Sequence, residues 1–412
     1  MQLPENFIRN TREIMGEERF QQYMKSFDEE PPVSIRLNPL KVDSHEWTVV
    51  GGEPVPWCRN GYYLPRRPNF TMDPMLHAGC YYVQEAASMF LDEVLRQHLP
   101  QRQLTVLDLC AAPGGKSTLM AAALSEGSTL YSNEPIRQRA SILAENVTKW
   151  GYPNHIVTNQ YPEFYRKSKL RFDVILCDVP CSGEGMFRKD EATIREWSQQ
   201  NVERCWQLQR EIVADAWTCL RDGGLLIYST CTFNTKENEE NVRWICEEYD
   251  AEVLTVDVKP EWNITGSLLP GFDQPVYRFI PGISRGEGLF MAVLRKKGEV
   301  QNVPQKEAKS LLRVNSQFTP GKLPVYSGQN ETLPKGTPRV ELTYPQAMAY
   351  LRHEALVLPE DTPLGIVEVC FMGHALGPVK NIGTRANNLY PKEWRIKTTH
   401  IPNDYEAILR HT

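Results

Sequence analysis

The stretch TVLDLCAAPGGKSTLMAAAL, residues 105–124, runs from a short apolar segment through a glycine-bearing loop into a small-residue helix. Strand, tight turn and helix in that order form the unit from which parallel sheets are built. The unit repeats along the chain. STLYSNE (128–134) reads as a strand followed by a helix over about 136–150, and FDVILCDVP (172–180) and LLIYSTC (225–231) are apolar runs of strand length. Between these two runs, Leu208, Ile212, Ala216 and Leu220 fall four apart, which predicts one apolar stripe of a long helix ending at Gly223-Gly224. The pattern predicts an α/β class with a parallel, doubly wound sheet over residues 73–297.

The flanks read differently. Residues 1–72 open with Phe7, Ile8, Ile14, Met15 and Phe20 near helical spacing, which Glu29-Glu30-Pro31-Pro32 interrupts. Strand candidates follow in SIRLNPLKV (34–42) and in VPWCRNGYYL (55–64), the latter with a turn at Asn60-Gly61. Residues 298–338, rich in Pro, Gly, Gln, Asn and Lys, read as a connecting region, and 339–412 as a final small domain. Residues 301–412 carry 13 Lys plus Arg against 10 Asp plus Glu, whereas the remainder is acidic.

Composition narrows the function classes. The 412 residues are 41% hydrophobic and 24% charged, with 46 Lys plus Arg against 51 Asp plus Glu. A net charge of -5 does not drive the whole chain onto nucleic acid, so a polyanion site has to be local. No apolar run approaches the about 18 residues of a membrane span, and the first twenty residues lack an apolar signal core. Ten cysteines without scaffold spacing predict reduced thiols, and with them a cytoplasmic protein without membrane contact.

Three ligands compete for the loop at Cys110–Lys116. A Walker loop needs glycine where Cys110 stands, and a dinucleotide loop needs G-x-G-x-x-G where only Gly114 and Gly115 occur. The third is S-adenosylmethionine, with Glu134 at the end of the next strand placed to hold ribose hydroxyls. In an open parallel sheet, ligands lie beyond the carboxyl ends of the strands, so Asp178, Cys181 and Cys231 should face one crevice. Zinc would need more than the C-x3-C pair Cys177 and Cys181, and no second pair or nearby His completes a site; no metal is expected.

CAAPGGK (110–116), DVPCSGEGMFRKD (178–190) and STCTFNTKENEENV (229–242) together resemble the Sun-type RNA cytosine-5 methyltransferases. RLN (36–38) and YYVQEAASM (81–89) match that family's N-terminal portion, and GHALGPVKNIGTRANNLYPKEWR (373–395) resembles the tail of the bacterial small-subunit rRNA methyltransferase F group. The resemblance implies a Rossmann-like class I methyltransferase sheet, a small α+β N-terminal domain and a C-terminal PUA-like RNA-binding domain. It implies S-adenosylmethionine as cofactor and methylation of cytosine carbon 5, most plainly in small-subunit 16S ribosomal RNA. Cys231 is then the thiol that adds to the ring, Cys181 the one that assists release, and Asp178 a contact to the base that lies close to the methyl donor. A capping-box pattern at Asn234–Glu237, opening a helix, offers a means of lowering the Cys231 pKa.

By the same resemblance Cys110, Ala111, Ala112, Pro113, Gly114, Gly115 and Lys116 wrap the donor, and Glu134 holds its ribose. The family's Asp for the adenine amine is missing from HIVTNQYPEF (155–164), so Asn159 or Gln160 substitutes, and the contact is placed on Gln160. Lys380, Arg385, Lys392, Arg395 and Lys397, interleaved with Tyr390 and Trp394, suit phosphate contact and base stacking. Arg188, Lys189 and Arg36 are further candidates for RNA contact. The expected partner is ribosomal RNA, naked or in an assembled small subunit, bound by a monomer. The alternatives are tRNA methylation and an inactive RNA-binding assembly factor.

Overall fold

The computed structural model describes residues 3–299, 333–334, 336–398, 400–402 and 404–412. The connecting region expected over 298–338 lies outside the described residues except at its margins. No helix among the described residues is long and apolar enough to cross a membrane.

Residues 33–83 form a four-stranded sheet of β1 (Val33–Leu37), β3 (Glu53–Pro54), β4 (Gly61–Leu64) and β5 (Tyr81–Val83), in the order β3-β4-β1-β5. The expected boundary at 72 therefore falls inside this sheet, since β5 pairs with β1. The two opening helices, α1 (Glu5–Met15) and α2 (Glu17–Lys25), follow the predicted periodicity and bury Phe7, Met15, Phe20 and Tyr23. They pack on Phe187, Trp197 and Phe233, which belong to loops of the central domain.

The central sheet holds β6 (Thr105–Asp108), β7 (Thr129–Asn133), β8 (His155–Thr158), β9 (Phe172–Asp178), β10 (Leu220–Thr230), β11 (Ala251–Leu254), β12 (Tyr277–Phe279) and β13 (Leu289–Lys296). Its order is β11-β13-β10-β9-β6-β7-β8, with β12 paired to β13. The five strands β6 to β10 are parallel, as the strand–helix alternation predicts. The other end departs from the expectation, because β13 runs antiparallel to β10, β11 and β12. Parallel neighbours need a crossover, usually a helix; none lies between β12 and β13, and the chain returns antiparallel. Helices cover both faces. Along β9, Val174 and Leu176 enter one core, while Ile175 and Cys177 enter the other.

The long helix before β10, Gln199–Cys219, is capped by Ser198, whose hydroxyl accepts the Asn201 N–H. It stops four residues short of Gly223, and Leu220 already begins the strand. Gly223, at φ +74°, instead serves an irregularity in the β9–β10 register between Leu220 and Leu225. The expected stripe also shifts: Ile212 and Ala216 are buried but Leu208 is exposed, and Val202, Cys205, Gln209 and Val213 complete the inner face.

A third sheet, β14 (Arg339–Glu341), β15 (Gly365–Phe371), β16 (His374–Asn381) and β17 (Ala386–Asn388), closes the chain. Its helix, Tyr344–Leu351, opens with a capping box formed by Thr343 and Gln346. This unit does not stand apart. Trp47, Met75 and Tyr81 share one apolar core with Tyr350, Val369, Trp394 and Leu409. The last strand, β18 (Leu409–His411), pairs with β2 (Trp47–Val49).

Candidate active site

Strand β6 has β7 on one side and β9 on the other, so the chain order reverses there, and the crevice opens at the carboxyl ends of β6, β9 and β10. Asp108 ends β6, Asp178 ends β9, and Cys231 follows β10 directly. Gly114, at φ +116°, sits in the left-handed region and starts the helix Gly115–Ala123, a conformation that disfavours side chains with a Cβ. The loop Cys110–Lys116 thus lies over the crevice with a helix N-terminus behind it.

Asp108 was not singled out from the sequence, and its surroundings are informative. It is buried; Oδ2 accepts a hydrogen bond from Ser117 Oγ at 2.6 Å, while Oδ1 has no protein partner. Burial pushes its carboxyl up to about 7. A buried acceptor left open at the foot of a ligand loop is a place for a donor group of a ligand. Glu134, following β7, is also buried; it accepts the Ile136 N–H and pairs with Arg139 at 3.3 Å. Asn159 commits its side-chain N–H groups to the carbonyls of Glu134 and Pro135. Gln160 is tied through its backbone, by Asn133.

Lys116 reaches across from the glycine loop and places Nζ 2.8 Å from Asp178 Oδ2. Ser229 donates to the other carboxylate oxygen. Burial pulls the Lys116 ammonium down, but Asp178 outweighs it and the group stays charged; Cys231 is within its electrostatic reach. The two sulfurs meet: Cys181 Sγ lies 3.2 Å from Cys231 Sγ, and the Cys231 N–H donates to Cys181 Sγ at 3.4 Å. The hydrogen bond to Cys231, with burial, pushes the Cys181 thiol well up, so Cys181 keeps its proton. The expected capping box is present only in part. Asn234 Oδ1 accepts the Glu237 N–H, yet the helix starts at Glu239, so Asn234 is not its cap. The groups beside Cys231 are instead the Cys181 thiol and the Lys116 cation.

Cys177 packs in the core against Tyr131, Phe172 and Trp217, away from Cys181, so the C-x3-C pair does not form a metal site. Among the described residues no group of three or more His, Cys, Asp or Glu side chains is arranged to hold a metal ion.

The basic candidates divide. Lys189, Lys380, Arg385, Lys392, Arg395 and Lys397 are exposed. Arg36 is a correction: it is 2% exposed, donates to Gln84, Gly115 and Thr118, and stacks over Trp150 at 4.4 Å. It braces the glycine loop against β1 and has no surface for a phosphate. Arg188 is likewise turned inward, with its side chain 6% exposed, pairing with Glu287 at 2.8 Å and donating to the Glu29 carbonyl. Tyr390 and Trp394 are buried beside Tyr350, so they build the core and do not offer stacking faces. Lone Arg or aromatic residues near a motif carry no sequence signal that separates brace from contact.

Three family models match the chain: 16S rRNA methyltransferase RsmB/F over residues 96–295, the N-terminal domain of 16S rRNA methyltransferase RsmF over 3–86, and the methyltransferase RsmF PUA domain over 337–396. Ribosomal RNA small subunit methyltransferase F of Erwinia tasmaniensis is 28% identical over 95% of this chain and 96% of its own length. Its counterpart in Shigella flexneri serotype 5b is 32% identical over 77% of this chain and 68% of its own. Among solved structures, a methyltransferase homolog protein from Pyrococcus horikoshii superposes with a TM-score of 0.60 at 26% identity, over 71% of this chain and 95% of that one. NSun6 from the same organism, solved with SFG, has the same fold, with a TM-score of 0.60 at 20% identity, over 72% of this chain and 99% of that one. By its sequence relatives and its three matched domains, the chain belongs to the ribosomal RNA small subunit methyltransferase F family.

Proposed function

We propose that the chain methylates carbon 5 of a cytosine in small-subunit ribosomal RNA, using S-adenosylmethionine and a covalent bond from Cys231 to the base. The observation that supports this reading is the meeting of two cysteine sulfurs at 3.2 Å at the ends of adjacent parallel strands, beside a carboxylate held by a lysine. When bound, S-adenosylmethionine supplies an electrophilic methyl group on a sulfonium. The open Oδ1 of Asp108 fits its ammonium, Glu134 its ribose hydroxyls, and Gln160 its adenine amine, with residues 110–116 around its middle. These residues fit the cofactor by charge and hydrogen-bonding capacity.

Carbon 5 of cytosine is a poor nucleophile. A Cys231 thiolate adding to carbon 6 moves electron density onto carbon 5, which then takes up the methyl group. Asp178, held between Lys116 and Ser229, accepts from the exocyclic amine and holds the base while charge develops. Solvent water then takes the carbon 5 proton, the electron pair of that C–H bond re-forms the ring double bond, and the Cys231 sulfur leaves carbon 6 as a thiolate. Cys181, still protonated, lies beside that sulfur to assist its release. Lys189 and the exposed cations of the last sheet hold RNA phosphates, and the target nucleotide turns out of its stack to reach the crevice.

The test is a denaturing gel with target RNA. Cys181→Ala is expected to accumulate a covalent protein–RNA complex, whereas Cys231→Ala and the double variant form none. Trapping by Cys231→Ala would reverse the two roles, and no trapping in any variant would remove the covalent step. Nucleoside analysis of small-subunit rRNA and tRNA incubated with tritiated donor identifies the base and the RNA class.

A further inference from the structure

The two cysteines sit on separate loops, residues 179–187 after β9 and 231–238 after β10, and each loop sends one buried glutamate into the other. Glu184, from the first loop, accepts the backbone N–H groups of Phe233 at 2.7 Å and Asn234 at 3.0 Å, and the Trp197 indole N–H at 3.0 Å. Glu237, from the second loop, accepts the Ser182 N–H at 3.0 Å and the Gln209 side chain at 2.7 Å. Asn234 Nδ2 lies between them, 3.2 Å from Glu184 and 2.7 Å from Glu237. Ser182 and Thr232 join hydroxyls at 2.8 Å, and the Gly185 N–H reaches the Cys231 carbonyl at 2.7 Å. Neither glutamate is more than 3% exposed. Among the described residues neither forms an ion pair; both are met by N–H donors alone.

Burying carboxylates without a cation costs stability, and apolar packing would hold two loops together with less penalty. What apolar packing does not supply is direction: each carboxylate fixes amides one to three residues from a reactive sulfur. We infer that Glu184 and Glu237 are positioning residues, a reciprocal clamp that keeps Cys181 within hydrogen-bonding distance of Cys231 so that the covalent adduct can be released. The inference rests on the two-cysteine reading above.

The clamp has a titratable side. Burial, reinforced by the charge of Glu184, pushes Glu237 up to about 7. Facing it are Glu184 and Cys181 from the first loop, Cys205 from the long helix and Tyr228 from β10. Ionised, Glu237 offers acceptors to all three of its donors; protonated, it loses one. Release is therefore expected to slow as pH falls through about 7.

The experiment uses the full-length protein with target RNA and tritiated S-adenosylmethionine. Glu184→Gln and Glu237→Gln each replace one acceptor oxygen by a donor. Each is expected to lower kcat roughly 10- to 100-fold with KM for RNA within about twofold, while covalent complex accumulates; these ranges follow from loss of one or two charge-assisted hydrogen bonds. Glu237→Gln should also lose the wild-type decline in kcat below about pH 7. Turnover within twofold of wild type, or lost turnover without accumulated complex, overturns the clamp. If a glutamine variant does not fold, Asn234→Ala, which leaves both glutamates in place and removes the side-chain amide between them, decides by the same two readouts at smaller amplitude. Cys181→Ala and Cys231→Ala run alongside separate the two claims: if either traps RNA, the covalent reading stands whatever the glutamates do; if neither does, the covalent reading itself has failed.

Discussion

The crevice between the glycine loop and the two cysteine loops and the sheet formed by β14 to β17 handle charge in opposite ways. In and around the crevice, charges are drawn in and given partners: Lys116 meets Asp178, Arg188 meets Glu287, Arg36 lies over Trp150, and Glu184 and Glu237 are met by N–H donors. In the last sheet the aromatics Tyr350, Tyr390 and Trp394 are drawn in, and Lys380, Arg385, Lys392 and Arg395 stay in water. The difference follows from what each task needs. Bond formation needs atoms fixed to within a fraction of an ångström, which partnered buried groups provide. Holding an RNA backbone needs reach and net positive charge, which solvated side chains provide without desolvation.

The sharpest way to break this contrast is at its chemical end. Cys231→Ala is expected to abolish methyl transfer while leaving donor affinity intact, since the thiol meets the base and not the donor; calorimetry alongside tritium transfer checks both. Next in size is Leu409→Ala, in the core shared by the first and last sheets, which should cost about 2–5 kcal/mol of unfolding free energy in denaturant melts. Surviving activity at low temperature would show that this core supports the site without taking part in it.

Glu134→Ala should weaken donor binding by about 1.5–3 kcal/mol, read as a rise in the donor dissociation constant. An unchanged constant would remove Glu134 from the donor site. Asp108→Asn probes the open carboxylate without ligand. Its folded pKa near 7 exceeds the unfolded value of 3.8, so ionising it in the folded state costs stability. The wild type should lose stability relative to Asp108→Asn as pH rises from about 4 to about 7, with a constant gap on either side. A gap independent of pH would mean that Asp108 titrates normally. The smallest effects separate the two kinds of cation. Lys380→Ala and Arg385→Ala should each lower the salt slope of RNA binding by about 1. Arg36→Ala should leave the slope unchanged and lower the melting temperature.

Four strands of the parallel half, β6, β7, β9 and β10, were legible because strand-length runs such as Phe172–Asp178 alternate with helical stretches such as the residues after Gly114, whereas β8, with only Ile156 and Val157 apolar, was not singled out. The motif residues were legible as well, since strand ends are marked by where those runs stop. Direction was not: β13 looks like any buried strand, and only the absence of a crossover helix turns it antiparallel. The end of the long helix was misread at Gly223 because a glycine that serves a strand irregularity and one that ends a helix look alike in sequence. Arg36 and Arg188 were misjudged for a related reason. Their partners, Trp150 and Glu287, are distant in sequence, and nothing local announces them.

The pairing of β18 with β2 also sets a timetable. Trp47–Val49 leaves the ribosome early, while Leu409–His411, its sheet partner, is made long after the central domain. The first unit therefore waits, with one strand edge and part of its apolar core uncovered, until residues 409–411 have been made. Contacts so far apart in sequence raise contact order and slow folding, and an open strand edge during that wait invites pairing with other chains. The brevity of β2, three residues, keeps that edge small.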